Sequence, residues 1–536
     1  MSPSTGAAVH KRAYALALSA SLGSLFYGFD IGLIGGVLAM RSFQEYIGLQ
    51  DATPSKKASI DGNIVISLQI GCLVGALGVG YFSGRFGRKP CLQASGLIFV
   101  LGSALQVVVG WGNTQRHALE LLYIGRFIGG IGVGMVSALV PAYVAECTPP
   151  TIRGRCTGFI QLANNIGVML SFWVNYICAR YLPNGESQWR IPFAVQIVPA
   201  LIFLLCLPWQ PESPRFMIET ERYDRAAEIL AYLSHATAED PLILATVDEV
   251  KADFLGKRRL PLMKQLQQMN ETRGIALRCF TPSLVMLFQQ LTGTNAINYF
   301  SPMIFASLGI GETKSGLFAT GIYGIVKVIS VCVGLALAVE GIGRKMSLIY
   351  GGLGQCIAML WIGIYTGLHP GTKPHNFLGY ISIAAVYLYA AFFSVGWGPI
   401  PWVLAGEVAP NHLRTAVMSL AAGVNWTFAT VVAKLTPLML AEIGYGTFLL
   451  FGSCCFVISF WAWLCLPETA GFGLEEIGEL FEHHVILRAV QDAPGGRLFI
   501  GKRRAPSVRK VPEVSGQEAQ GLLDGEDEQR HSSEDV

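Results

Sequence analysis

Charged side chains are scarce. Asp, Glu, Lys and Arg make up 14% of the 536 residues, against about 25% in an average soluble domain. Hydrophobic residues make up 52%. A large soluble core does not account for that deficit; a set of membrane helices does. The net charge of +3 is too small to argue for nucleic acid as a partner. The 12 cysteines follow neither a metal-ligand spacing nor a disulfide framework. Most of them, such as Cys72, Cys206, Cys332, Cys356, Cys454, Cys455 and Cys465, sit in apolar runs and read as small packing residues. No phosphate loop, nucleophile triad or metal cluster stands out, so an enzyme is not expected; GGIGVG at 129–134 lies inside an apolar span. A convincing cleavage site is also missing. The run from Ala13 to about Met40 is too long for a signal-peptide core and is expected to stay as a first helix.

Apolar runs near the ~20 residues that cross a bilayer recur at 13–40, 62–83, 91–112, 119–145, 155–181, 191–208, 276–307, 315–339, 346–368, 376–405, 414–441 and 446–466. They predict an all-α membrane protein with twelve transmembrane helices. Glycine is abundant, 61 residues, as membrane helices need where they pack closely. Basic residues cluster before span 1 (Lys11, Arg12), after span 2 (Arg85, Arg88, Lys89), after span 4 (Arg153, Arg155) and after span 6 (Arg215, Arg222, Lys257, Arg258, Arg259, Lys264). All of these fall on one side if both termini are cytosolic; Lys56 and Lys57 fall on the other. The expected organisation is a cytosolic N-terminus (1–12), a six-helix half (13–210), a cytosolic helical linker (211–275), a second six-helix half (276–466) and a cytosolic tail (467–536), disordered toward its end. Within the linker, ERYDRAAEILAYL (221–233) has helical periodicity with a charged face.

The chain repeats itself. GRFGRK (84–89) returns as GIGRK (341–345), PAYVAECTPPTIRG (141–154) as PWVLAGEVAPNHLR (401–414), and PESPRF (211–216) as PETAGF (467–472). Gly87 and Gly343 are 256 residues apart, as are Pro211 and Pro467; Glu146 and Glu407 are 261 apart, as are Arg153 and Arg414. A near-constant offset means two parallel, pseudo-symmetric halves with substrate held near the midplane between them. Arg85, Arg88, Glu146, Arg153 and Glu212 in one half, and Arg344, Glu407, Arg414 and Glu468 in the other, are expected to form a salt-bridge lock at the cytosolic gate. The plainer reading is ordinary positive-inside charge.

These stretches, with RFIGGIGVG (126–134), QQLTGTNAINYFSP (289–302), GWGPIPWVLAGE (396–407) and PET (467–469), closely resemble the sugar porter family of the major facilitator superfamily, in its fungal branch. The resemblance spans nearly the whole chain between the tails. Ala470 stands where the family's PETKG has Lys, and Gly341 where Arg is common; both weaken the lock reading slightly.

Amides grouped at membrane depth suit a ligand rich in hydroxyls, because Gln and Asn both donate and accept. The resemblance implies that Gln161, Gln289, Gln290, Asn295, Trp402 and Asn425 bind sugar; Asn298 shares a helix side with Gln290 and Asn295. The plainer role of such amides, for Asn164 and Asn165 above all, is to hold helices together. Lys327 stands where many sugar porters carry a sugar-binding Asn. A cation at that depth is costly and marks a pathway or a site. It binds a substrate carboxylate, as in a quinate or uronic-acid carrier, or donates to sugar hydroxyls, or snorkels away. Its GIYGIVK context resembles fungal quinate-type permeases and neutral-sugar carriers alike. Lys434 is expected to snorkel. Asp30, where facilitative carriers have an amide and proton-coupled relatives an Asp, implies proton symport with Arg126 as modulator; a permanent ion pair is the plainer reading.

The leading expectation is proton-coupled import of a monosaccharide, hexose or pentose, by alternating access. A carrier of a carboxylated polyol is the alternative, and a transporter-like nutrient sensor the second. No cofactor beyond the coupling proton is expected. The partners expected are a small polyhydroxylated substrate and the lipid bilayer, with the chain working as a monomer in the plasma membrane. The Asn-x-Thr sequons at Asn270 and Asn425 are expected to stay unglycosylated.

Overall fold

The apolar runs fold as helices because a bilayer leaves no other partner for the backbone N–H and C=O groups. The computed structural model describes residues 10–109, 115–255, 264, 267–310, 313–337, 342–369, 377–410, 413–469, 477 and 480–481. The first half comprises α1 (Lys11–Ala39), α2 (Pro54–Phe86), α3 (Arg88–Val108), α4 (Gln115–Cys147), α5 (Pro150–Tyr181) and α6 (Ser187–Trp209), interrupted at Gln196. Three short helices follow, α7 (Pro214–Glu219), α8 (Tyr223–Ser234) and α9 (Pro241–Leu255). The second half comprises α10 (Arg273–Leu291), α11 (Thr294–Ser307), α12 (Thr313–Leu337), α13 (Arg344–Leu368), α14 (Phe377–Val395), α15 (Ile400–Val408), α16 (Arg414–Glu442) and α17 (Gly446–Cys465). The expected helix at 221–233 is α8. Gly341, Ala470 and most of the predicted tail lie outside the described residues.

Among the described residues, eleven stretches are long and apolar enough to cross a membrane. The twelfth crossing is α10 with α11. The sequence reading took 276–307 as one continuous helix; the chain breaks instead at Gly293, whose φ of +84° is a left-handed conformation that glycine adopts without strain. A Cβ there would also press on the Phe451 ring, 2.8 Å from its Cγ. A second break, at 396–399, separates α14 from α15, as the Gly and Pro residues there predict.

Burial is inverted relative to a soluble protein. Asp30, Arg126, Gln69, Asn175 and Gln355 are fully buried, while Leu97, Leu205, Phe456, Val457 and Phe460 are more than half exposed. Water penalises that arrangement and lipid does not. Arg12 at the start of α1 donates to the Tyr232 carbonyl of α8 (3.0 Å), and Arg88 at the start of α3 pairs with Glu219 of α7. These contacts define a linker end of the bundle, so α2 and α4 run parallel from the far end toward it. The halves meet where α2 packs on α16, α5 on α12 and α1 on α11.

Candidate functional site

The polar side chains of the bundle fall into three groups. The first is at the linker end. Gly87 (φ +102°) and Gly343 (φ +86°) end the turns before α3 and α13. Glu212 accepts from the backbone N–H of Arg88 (3.0 Å), Lys89 (3.1 Å) and Ser213 (2.8 Å). Glu468 accepts from Arg344 (2.8 Å) and Lys345 (3.0 Å) in the same way. A carboxylate thus caps each helix N-terminus, meeting donors that have no partner within the helix. Burial pushes the Glu212 carboxyl up, and the three N–H bonds and Arg88 oppose that shift. A Cβ on either glycine would come within about 2.6 Å of the capping carboxylate, so the motif glycine also makes room for the acid.

The guanidinium groups complete the network. Arg88 meets Glu146 (3.0 Å) and Glu219 (3.0 Å); Arg344 meets Glu407 (3.1 Å). Ser213 donates to Glu146, and Thr469 to Glu407 (3.0 Å). Arg414 is half-buried. Arg85 and Arg153 do not join: both are exposed, and Arg85 lies over the Phe86 ring instead. Glu219, Ser213 and Thr469 were absent from the sequence-based set, Glu219 because it lies outside the repeated stretches.

The second group surrounds the α10–α11 break. Gln289 donates to the carbonyls of Trp397 (2.7 Å) and Gly398 (3.0 Å), and its oxygen accepts from Asn425 (2.8 Å). The nitrogen of this amide thus holds the break at 396–399, and its oxygen ties α10 to α16. Asn295 donates to Gln290 (2.6 Å) across the Gly293 turn. Asn298 Oδ1 accepts from Lys327 Nζ (3.2 Å) and Tyr323 Oη (3.3 Å). Lys327 is 4% exposed, its Nζ lies 5.8 Å from the centre of the Phe393 ring, and among the described residues it meets no carboxylate. Tyr323 and Phe393 were not singled out from sequence, since an aromatic in an apolar run carries no polar signal.

Gly321 lies on Trp173, Gly324 on Met169 and Gly158 on Leu335. That antiparallel register of α5 and α12 brings Lys327 level with Ile166. Asn165 spends its amide on the Gln161 carbonyl (2.8 Å), a bond within α5 rather than the expected one between helices, and the Asn164 amide nitrogen is buried without a partner among the described residues. The side chains of Gln161 and Trp402 are half-buried, Trp402 against Met286, Ala405 and Ala421. Lys434 does not snorkel. It crosses from α16 to α2 and donates to Asn63 Oδ1 (2.6 Å) and the Ser59 carbonyl (3.1 Å), a better alternative than water for an ammonium at a helix seam.

The third group is Asp30 with Arg126, both fully buried, 3.5 Å apart. Arg126 Nε donates to the Ile64 carbonyl (2.9 Å). Among the described residues, neither Asp30 oxygen has a hydrogen-bond donor and neither Arg126 Nη has an acceptor. Tight charge-assisted bonds run at about 2.7–2.9 Å; this pair is looser, in a setting where an incompletely satisfied ion pair is costly.

Comparison with known proteins gives the family. Residues 16–481 match the family model described as sugar (and other) transporter. The chain is 33% identical to a probable quinate permease of Neosartorya fischeri over 486 residues, 89% of each protein. It is 33% identical to a quinate permease of Neurospora terricola over 492 residues, 90% of each. Its structure superposes on the proton:xylose symporter XylE bound to 6-bromo-6-deoxy-D-glucose with a TM-score of 0.73 and 28% identity, covering 88% of this chain and 100% of that one. The inward open conformation of XylE from E. coli gives 0.71 and 28%, covering 87% and 99%. The chain belongs to the sugar (and other) transporter family of the major facilitator fold, as a multi-pass membrane transporter and not an enzyme.

Proposed function

We propose that this transporter carries a ring-shaped polyol bearing one carboxylate, of the quinate or uronic-acid class, together with a proton. The observation that carries the reading is Lys327. Its ammonium is buried beside the amides of α11, with one hydrogen bond to Asn298 (3.2 Å) and no carboxylate partner among the described residues. An ammonium has three donors, and a buried unpaired charge is costly. A substrate carboxylate supplies the missing charge, while Gln161, Gln290, Asn295 and Trp402 face the hydroxyls. Behind them Gln289 holds the break at 396–399, and Asn425 ties α16 to α10. Two relatives named for quinate support the same choice.

Asp30 is the proton site. It ionises when Arg126 approaches and takes a proton when Arg126 withdraws. Arg88, Arg344 and their carboxylates form the gate on the linker side, which faces the cytosol with both termini. The chain works as a monomer in the plasma membrane. A neutral monosaccharide is the second reading, favoured by the 28% identity to the xylose symporter over most of the chain; there Lys327 donates to a hydroxyl.

The test is uptake of labelled quinate, galacturonate, glucose and xylose by yeast lacking its own carriers, at acidic pH, with and without a protonophore. The acids alone should enter, sensitive to the protonophore, and Lys327→Asn should abolish their uptake. Protonophore-sensitive entry of the sugars with the acids ignored rejects the acid reading; entry of nothing would favour a nutrient sensor.

A further inference from the structure

Helices α2 and α4 run parallel in a constant register. Arg126 Nε bonds the Ile64 carbonyl, Gly130 lies on the Leu68 carbonyl and Gly134 on the Cys72 carbonyl. Extending that register one turn toward the far end brings Asp61 level with Tyr123. Asp61 is 2% exposed. It makes no hydrogen bond and no salt bridge with any described residue; Lys57 lies one turn further out along α2. Across the seam, Lys434 is committed to Asn63 and Ser59. A buried carboxylate without partners is costly to keep, and in a membrane helix it marks a path for ions or protons. Three residues of α2, a rise of ~4.5 Å, separate Asp61 from the carbonyl that anchors Arg126.

We propose that Asp61 is the proton entry group of this transporter, an antechamber on the far side of the Asp30–Arg126 pair. The carboxylate of Asp61 accepts a proton from hydronium at the far mouth, leaving water. The resulting acid passes that proton through water to the Asp30 carboxylate and returns to its ionised form. Asp30 then releases the proton at the linker side, so one proton crosses per cycle and no other reactant is consumed. Tyr123 and Lys57 flank the group, and Arg126 is the cation on its inner side.

This inference rests on the proton coupling proposed above, and one experiment separates the two. Purified wild type, Asp61→Asn and Asp61→Glu are reconstituted in liposomes. Proton uptake is read by an entrapped dye during inward flow of labelled quinate or xylose, whichever the wild type carries, and exchange is read by counterflow. Proton movement by the wild type is expected. Asp61→Asn should lose proton uptake and uphill accumulation and keep wild-type exchange, and Asp61→Glu should restore both. A wild type that moves no protons overturns the coupling and the inference together. A coupled wild type with an equally coupled Asp61→Asn overturns the inference alone, as does an Asp61→Asn that loses exchange along with coupling.

Discussion

At the scale of single residues, the side chains that matter are those whose neighbours leave them unsatisfied. Asp30 and Arg126 share a 3.5 Å contact, with no other bond to the carboxylate among the described residues. A proton on Asp30 costs little of that weak pairing, so the loose geometry favours a carboxylate that exchanges its proton. Asp30→Asn should abolish uphill accumulation and spare exchange; unchanged accumulation in vesicles with an imposed pH gradient would show a merely structural pair. The identities of Asp30, Arg126 and Lys327 as charges at membrane depth were legible in the sequence. Asp61 was not, because the apolar run seemed to begin at residue 62 and placed it just outside; the helix in fact starts at Pro54. Nor was the environment of Lys327, since no periodicity shows which side chains a buried cation meets.

At the scale of elements, the two carboxylate caps show how the halves hold their shape. Glu212 meets the backbone donors of Arg88 and Lys89 at the turn into α3 and that of Ser213 beside it, and Glu468 meets at least two at the turn into α13. Loss of a cap costs typically about 1 kcal/mol. Glu212→Ala and Glu468→Ala should each lower thermal stability in detergent by about that amount, and by the sum when combined, because separated sites add. A double variant no worse than either single one would show the caps to be one unit rather than two. The repeats disclosed the pairing of these motifs, since Gly87, Arg88 and Glu212 recur at a single offset. They did not disclose that the glutamate bonds the backbone while the arginine bonds a different glutamate. The break at Gly293 was hidden for a related reason: glycine is common throughout these spans, and only the packing of Phe451 against it selects the left-handed turn.

At the scale of the whole molecule, the halves are joined at the far end. The carbonyl of Tyr299 on α11 leaves room for no side chain at Gly35 of α1, and Lys434 is bonded to Asn63 at 2.6 Å. Among the described residues, the ion pairs at the linker end stay within one half. Opening the far mouth must break the Lys434 bonds. Hydrogen bonds to charged groups contribute roughly 1.5 kcal/mol or more, so Lys434→Ala should shift the population toward far-side opening by about tenfold. Substrate offered from outside should then bind more tightly while maximal transport falls. Equal affinity for wild type and variant in a binding assay on sealed right-side-out vesicles would show that Lys434 is no latch.

The sequence by itself determined the solvent, the number of crossings, the two-half repeat and the family, because hydropathy and recurring motifs are local in the chain. It also placed Asp30, Arg126 and Lys327 at membrane depth. The tertiary structure alone decided which amides are spent on the helix breaks, which carboxylate each arginine meets, and that Lys434 ties α16 to α2. It alone placed Asp61 one turn from the anchor of Arg126. Those outcomes depend on the register between helices far apart in the chain, and register is set by packing across the bundle rather than by any single span.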